Sequence, residues 1–267
     1  MCVYVCTAEF EARYQELTRL GVGGFGSVFA GFRKNDYLPV AIKHIPKKNV
    51  VCRHVVSNTE VAVMLAISAG TNGSVGMSLP VTLLDWYDVH QELILVLERP
   101  VPCEDLYKYC KERGGSIEEK EIILKQVVDA TKYLEDKCIF HRDIKLENIL
   151  IETSLDVPRA RLIDFGLSCF FKKKSVYTVF YGTPKHAPPE WGHFGTYKAG
   201  PTTVWQLGVL LFEALNNEAS FETQRFLKKK LTTNIKGLSE NCQDFLRKCL
   251  AIVPEERSTL EELQNLP

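Results

Sequence analysis

Eight consecutive residues, HRDIKLEN from His141 to Asn148, hold four charged side chains and sit between the apolar triplets CIF and ILI. Short runs of Ile, Leu and Phe read as buried strand ends, whereas charged side chains are seldom buried unless paired. A fold that accepts this stretch must pin a polar loop between core strands and give its charges partners. The residue types suit chemistry on a hydroxyl and a phosphoryl group. Asp143 can accept or orient a hydroxyl proton, Lys145 can neutralise a transferring phosphoryl group, and Asn148 can offer an amide oxygen to a magnesium ion. Asp164, which follows the apolar Leu162-Ile163 and opens Asp-Phe-Gly, adds the carboxylate that a hard cation takes.

Upstream, Gly21, Gly23 and Gly26 form G-x-G-x-x-G before Ser27-Val28. That spacing alone fits a dinucleotide fold, a phosphate cover or a plain turn. Strand-like sequence on both sides favours a hairpin over phosphates, so Leu20, Val22, Gly24 and Phe25 join the glycines, Ser27 and Val28 as candidate nucleotide-binding residues. Lys43 closes VAIK. A lysine ending an apolar strand commonly snorkels to water, but close behind this glycine loop it reads as the cation for the α- and β-phosphates. It needs an anion to hold it. Glu60 is the candidate, although Ser57-Asn-Thr-Glu60 also fits a helix-opening capping box; the order of loop, lysine and helix glutamate favours the ion pair.

The chain has 267 residues, 45% of them hydrophobic, enough to build one large domain or two lobes. Its 33 basic and 33 acidic residues cancel, which removes any global attraction to nucleic acid or membrane. No apolar stretch approaches the length of a membrane span, and MCVYVCTAEFEARYQ lacks a basic segment followed by a long apolar one. The nine cysteines are odd in number and form no C-x-x-C pair, so free thiols in a reducing compartment, cytoplasmic or also nuclear, are expected. Cys242 and Cys249 share one face of an expected helix and read as core. Lys172–Lys174 and Lys228–Lys230 read as solvated faces. The first third is strand-rich (GSVFAGF, LPVAIKHI, VTLLDWYD, ELILVLE) with one helix near 57–69. After Pro102 the texture turns helical, as in IEEKEIILKQVVDATKYLEDK with its acidic start and Lys137 at its end. The expectation is an α+β bilobal chain: a β-rich lobe over 1–97, a hinge over 98–102 and a helical lobe over 103–267.

Glycine loop, VAIK, HRD-x-K-x-x-N and DFG, in that order, resemble the eukaryotic protein kinases across nearly the whole chain. Lys145 two residues after Asp143, with Gly182-Thr183-Pro184 downstream, resembles the serine/threonine class. The usual Ala-Pro-Glu stands as Pro188-Pro189-Glu190, and the resemblance implies that Glu190 pairs with a buried arginine, for which Arg257 is placed. More narrowly, LPVAIKH, LLDWYD, LERPVP, HRDIKLENILI, VYT-x-F-x-GT, PPEW and VWQLG resemble the PIM serine/threonine kinases.

That resemblance implies ATP and Mg2+ as cofactors, protein substrates with Ser or Thr acceptors, no nucleic-acid or membrane partner, and a monomer. It makes ILVLERPVP the hinge, with Leu97 as gatekeeper and the Glu98 carbonyl toward the adenine amino group. Pro100 stands where most kinases donate an N–H to adenine, and proline has none. Apolar walls of Val28, Ala41, Leu150 and Ile163 would then carry more of the binding. Asp105 and Glu147 match acidic positions that bind basic residues upstream of the acceptor, and Thr183 joins them as a substrate-side residue. Val179, Tyr181 and Lys108 replace further family acids, which weakens the expected basic preference. The helix aspartate that fixes the catalytic loop in most kinases is replaced by Thr203, as the PIM pattern also lacks it. The catalytic domain is expected to end near the terminal QNLP. Arg142 loses an acidic partner at Val179, so either packing orders the activation segment and activity is constitutive, or a phosphate on Ser175 or Thr178 does so; the resemblance favours the first. A pseudokinase scaffold is the alternative function, but Lys43, Glu60, Asp143, Asn148 and Asp164 are all intact.

Overall fold

β-Branched and small residues alternate through GSVFAGFR and PVAIKHIP, and that pattern builds the first sheet. The computed structural model describes residues 7–24, 26–47, 56–69, 80–154, 156–216, 220–233, 235 and 238–266, without the side chains of 56–58. The chain divides into two compact units, Met1–Ser74 with Val81–Pro102, and Val75–Pro80 with Cys103–Pro267.

The first unit runs α1 (Thr7–Arg13), β1 (Tyr14–Gly23), β2 (Gly26–Arg33), β3 (Pro39–Pro46), α2 (Val56–Ser68), β4 (Leu83–Asp88) and β5 (Glu92–Glu98). Its five strands are antiparallel in the order β1-β2-β3-β5-β4. Val28 lies opposite Lys43, and Ala41 opposite Leu97. Cross-strand partners and alternate residues share a face, so Val28, Ala41, Lys43 and Leu97 stand together on one side. Val40, Ile42, Ile94 and Val96 occupy the other, where Phe10 of α1 packs with Tyr14 and Tyr87. The run Leu93–Val96 is buried throughout. Its charged end is accommodated by pairing: Glu98 N donates to Thr82 O at 2.9 Å, and Thr82 N donates back to Glu98 Oε2 at 3.2 Å. The helix expected at 57–69 is α2; the Ser57 side chain, which a Ser57–Glu60 capping box requires, lies outside the described residues.

The second unit begins with β6 (Cys103–Asp105) and α3 (Leu106–Lys108), which widens into a π turn over Tyr109–Arg113. Next comes α4 (Ile117–Asp136), opened by a reciprocal capping box in which Glu119 N donates to Ser116 Oγ and Ser116 N to Glu119 Oε2. It stops one residue short of the expected Lys137, which serves as its C-cap. The strands β7 (Ile139–Phe140), β8 (Ile149–Glu152), β9 (Arg159–Leu162) and β10 (Cys169–Phe170) form two small antiparallel sheets, β6-β8-β9 and β10-β7. They flank the polar loop and the Asp-Phe-Gly turn. The helices α5 (Pro189–Phe194), α6 (Ala199–Leu215), α7 (Thr223–Leu227), α8 (Glu240–Cys249) and α9 (Leu260–Gln264) complete the unit. Helix α6 is buried on all sides, as its apolar composition demands, and Cys242 and Cys249 of α8 are core residues. Among the described residues no helix is long and apolar enough to cross a membrane.

Glu190 of α5 and Arg257 form a bidentate buried pair, Nη1–Oε1 2.9 Å and Nη2–Oε2 2.6 Å, with the arginine side chain at 0% exposure. Arg257 also donates to Ala251 O and Pro201 O and lies 4.9 Å from the Trp205 ring. One side chain thus ties α5, α6 and the segment after α8. Arg257→Ala strands a buried carboxylate and is expected to cost about 3–5 kcal/mol of stability, read from urea unfolding midpoints; Glu190→Gln in the same chain should recover part of the loss.

Candidate active site

In the first unit the glycine turn is a hairpin in which Val22 pairs with Ser27 and Gly23 with Gly26. Gly26 has φ +158°, and a Cβ there would lie 1.9 Å from the His44 carbonyl oxygen, so the neighbouring strand alone demands glycine. At Gly21, Gly23 and Gly24 a Cβ would meet nothing within 4 Å. The fold does not need those glycines, whereas close approach of a ligand to the backbone would. Leu20 and Val22 are exposed at the same hairpin, and Phe25 lies outside the described residues. Lys43 Nζ sits 2.8 Å from Glu60 Oε1, both buried, at 6% and 3% exposure. An isolated ammonium would not be stable there; α2 supplies its counter-charge.

In the second unit Asp143 is the hub. Its Oδ1 accepts the Thr183 N–H at 2.9 Å and the Thr183 hydroxyl at 2.7 Å, while Oδ2 lies 2.8 Å from Lys145 Nζ. Lys145 Nζ also donates to Thr183 Oγ1 at 3.2 Å. Burial pushes the Asp143 carboxyl up, but Lys145 and Thr183 outweigh it and hold the group below its ordinary value. It is therefore an anion at neutral pH. Asn148 Nδ2 donates to Asp143 O at 2.8 Å and closes the loop on itself. His141 donates through Nε2 to Ile163 O at 3.0 Å and accepts the Asp143 N–H at Nδ1, with burial holding its imidazole below the ordinary value. Its ring meets Phe165 edge-on at 5.0 Å, so the loop and the Asp-Phe-Gly turn are fixed to each other.

Asp164 is solvent-exposed and carries φ 62°, and Arg142 carries φ 76°. Left-handed non-glycine residues concentrate at sites where geometry serves chemistry. Ile163 N donates to Asn148 O at 2.9 Å, which sets the two candidate metal ligands on adjoining backbone. Among the described residues no cluster of three or more His, Cys, Asp or Glu is arranged to hold a metal. Asn148 and Asp164 present an amide oxygen and a carboxylate, hard donors of the kind Mg2+ takes in small number before completing its shell with phosphate and water. Leu150 and Ile163 are half-buried near them in sequence. Glu147 is exposed, whereas one oxygen of Asp105 is already engaged, capping α3 by accepting the Lys108 N–H at 2.8 Å.

The activation segment is ordered without any carboxylate on Arg142 among the described ion pairs. The guanidinium lies 4.8 Å from the Tyr177 ring, 5.0 Å from Tyr181 and 5.8 Å from Phe140, and Nη1 donates to Leu167 O. Tyr177 and Tyr197 exchange backbone hydrogen bonds at 2.9 and 3.0 Å. The Tyr197 hydroxyl donates to Val179 O, the Trp191 indole to Thr178 O, and Phe180 packs on both rings. Gly182, φ +136°, lets the segment pass Arg142 O, where a Cβ would come within 2.6 Å. Beyond Thr183, Glu213 of α6 accepts from His186, Lys185 and the Phe221 N–H. Two contributors carry roles that the motifs holding them do not announce: the aromatic surround of Arg142, and Gln206 of α6, whose amide reaches the backbone on both sides of Asp143. For Gln206 the only trace in the sequence is a lone amide in the apolar run TVWQLGVLLF.

The protein kinase domain family matches residues 14–267. The chain is 36% identical over 266 residues to the serine/threonine-protein kinase pim-2 of Danio rerio, covering 97% of this chain and 85% of that protein. It is 31% identical over 268 residues to the serine/threonine-protein kinase prk-2 of Caenorhabditis elegans, of which it spans 59%. Against the PAS domain-containing serine/threonine-protein kinase of Mus musculus it is 26% identical and spans 19% of that protein.

Burial alone would push the Glu213 carboxyl up, but His186, the Phe221 N–H and Lys185 bring it down to about 2. A depressed carboxylate adds stability that is complete above its ordinary range and is lost as pH falls toward the folded value. The side chain is 9% exposed, and the gap is worth about 3 kcal/mol at neutral pH. Glu213→Gln should lower stability at pH 7 and flatten its decline between about pH 4 and pH 2, as unfolding midpoints across that range would record.

Proposed function

The chain belongs to the protein kinase family, as a PIM-like serine/threonine protein kinase, and from that premise we propose the roles of its residues, its mode of regulation and its substrate preference. The carrying observation is the triangle of Asp143, Lys145 and Thr183 in the second unit, together with the buried Lys43–Glu60 pair in the first. A threonine hydroxyl already donates to Asp143 at 2.7 Å, which is the hydrogen bond an acceptor Ser or Thr would make. Asp143 orients that hydroxyl and takes its proton as the oxygen–phosphorus bond forms and the bond to the leaving diphosphate breaks. Lys145 stabilises the charge on the transferring group. Lys43, fixed by Glu60, binds the α- and β-phosphates of ATP, and the glycine turn leaves its backbone open to them. Asn148 and Asp164 hold Mg2+, which when bound offsets the charge of the phosphates. The scaffold alternative has no support, since none of Lys43, Glu60, Asp143, Asn148 and Asp164 is degraded.

Activity in this reading needs no phosphate on the activation segment. Aromatic faces around Arg142 take the place of an anion, and cation–π contacts of this kind strengthen when shielded from water. Substrate preference for upstream basic residues is weak, because Glu147 is the freer of the two acids: Asp105 is partly engaged as a cap, and Lys108 adds an opposing charge beside it.

Lys43→Met and Asp164→Asn are each expected to abolish phosphoryl transfer to a Ser/Thr peptide library while leaving the fold intact; Asp164→Asn should keep the unfolding midpoint, and Lys43→Met, which removes the ion pair of the buried Glu60, should lower it. Turnover preserved in both, from material free of other kinases, overturns the assigned roles. Phosphatase treatment to a single unphosphorylated mass should leave turnover intact; a fall to background would show that Ser175 or Thr178 must be phosphorylated.

A further inference from the structure

Helix α6 carries one amide in a stretch that is otherwise apolar and buried. Gln206 is 1% exposed, and burying both polar ends of an amide is unfavourable unless each finds a partner. Both partners are backbone groups of the catalytic loop. Gln206 Nε2 donates to Arg142 O at 2.6 Å, and Ile144 N donates to Gln206 Oε1 at 3.4 Å. These are the residues immediately before and after Asp143. We infer that Gln206 is the positioning residue that clamps the backbone on both sides of Asp143 and so aims its carboxylate at the acceptor hydroxyl. The inference rests on the kinase reading above.

Three further observations favour this over ordinary core packing. Arg142 is held at φ 76°, a conformation that needs outside support in a non-glycine residue, and the Gln206 amide grips that residue's carbonyl. The same carbonyl is where Gly182 passes, so loop, activation segment and α6 meet at one oxygen. Thr203, one turn earlier on α6, spends its hydroxyl on its own helix, donating to Ala199 O at 2.9 Å, so the anchoring task lies with Gln206.

The test is Gln206→Met, which keeps the length and apolar packing and removes both hydrogen bonds. A misaimed Asp143 should lower kcat by about ten- to a hundredfold, with KM for ATP changed by less than about twofold, because both hydrogen bonds of Gln206 go to the backbone beside Asp143, which acts on the acceptor. Hydrogen exchange of a peptide covering residues 142–144 should quicken in Gln206→Met while exchange in α4 stays as in the wild type. Adding Thr203→Asp, a carboxylate one turn away on the same helix, should restore part of kcat and slow the exchange again. Full kcat and unchanged exchange in Gln206→Met would overturn the inference. So would a loss of kcat matched by faster exchange throughout the unit, which marks a structural role only. Should Gln206→Met not fold, Gln206→Asn, whose shorter chain cannot span both partners, decides the same question. Absent turnover in the wild type would defeat the kinase reading itself, while the exchange comparison would still decide whether Gln206 holds the loop.

Discussion

A carboxylate taken out of water must be met by donors or it gives up its charge. Asp143 is largely buried, and the second unit is organised around keeping it ionised. Lys145 and both polar groups of Thr183 supply the donors. Thr183 can do so only if the activation segment lies against the loop, and the segment lies there because Gly182 permits the approach and the aromatic cluster holds it. The loop keeps its shape through Asn148 inside it, His141 toward the Asp-Phe-Gly turn and Gln206 beneath it. Each of these contacts is weak alone, but they share members, so their effects are not independent.

Arg142 shows how one electrostatic requirement can be met by a different chemistry. A guanidinium beside a catalytic loop wants a compensating negative field, and a carboxylate or phosphate gives it strongly at the cost of stripping two ions of water. The faces of Tyr177, Tyr181 and Phe140 give a weaker field with little desolvation, because aromatic rings are apolar already. Of these, Phe140 and Tyr177 also pack against Tyr197, whose hydroxyl donates to the backbone of Val179. One cluster thus serves as counter-field and as core.

Much of this was legible in the sequence because the residues involved have few substitutes. A proton acceptor beside a lysine, a hard-oxygen donor three residues on and a lysine behind a glycine turn are each tied to a spacing, and spacing survives in one dimension. The strand-rich character of the first third followed from its β-branched and aromatic alternation, and the pairing of Glu190 with Arg257 from the family resemblance. What stayed hidden depends on which groups meet in space. Gln206 lies 63 positions after Asp143 in the chain, and nothing local marks its amide as a clamp. The rings around Arg142 carry no mark of that role in the sequence, where Tyr181 reads only as the replacement of a family acid. Asp105 was legible as an acid but not as a cap, because capping depends on where α3 begins.

The crowding at Gly26 separates two demands that the glycine motif seems to express as one. At Gly26 the His44 carbonyl forbids any side chain, whatever the hairpin covers; at Gly21 and Gly23 the protein leaves room. A chain that had lost all use for nucleotide would be free to drift at the first two positions and still be obliged to keep the third. Retention of all three glycines therefore carries information about ligand binding at Gly21 and Gly23 alone, and a lone survivor at Gly26 would be the fossil of a sheet rather than the mark of an enzyme.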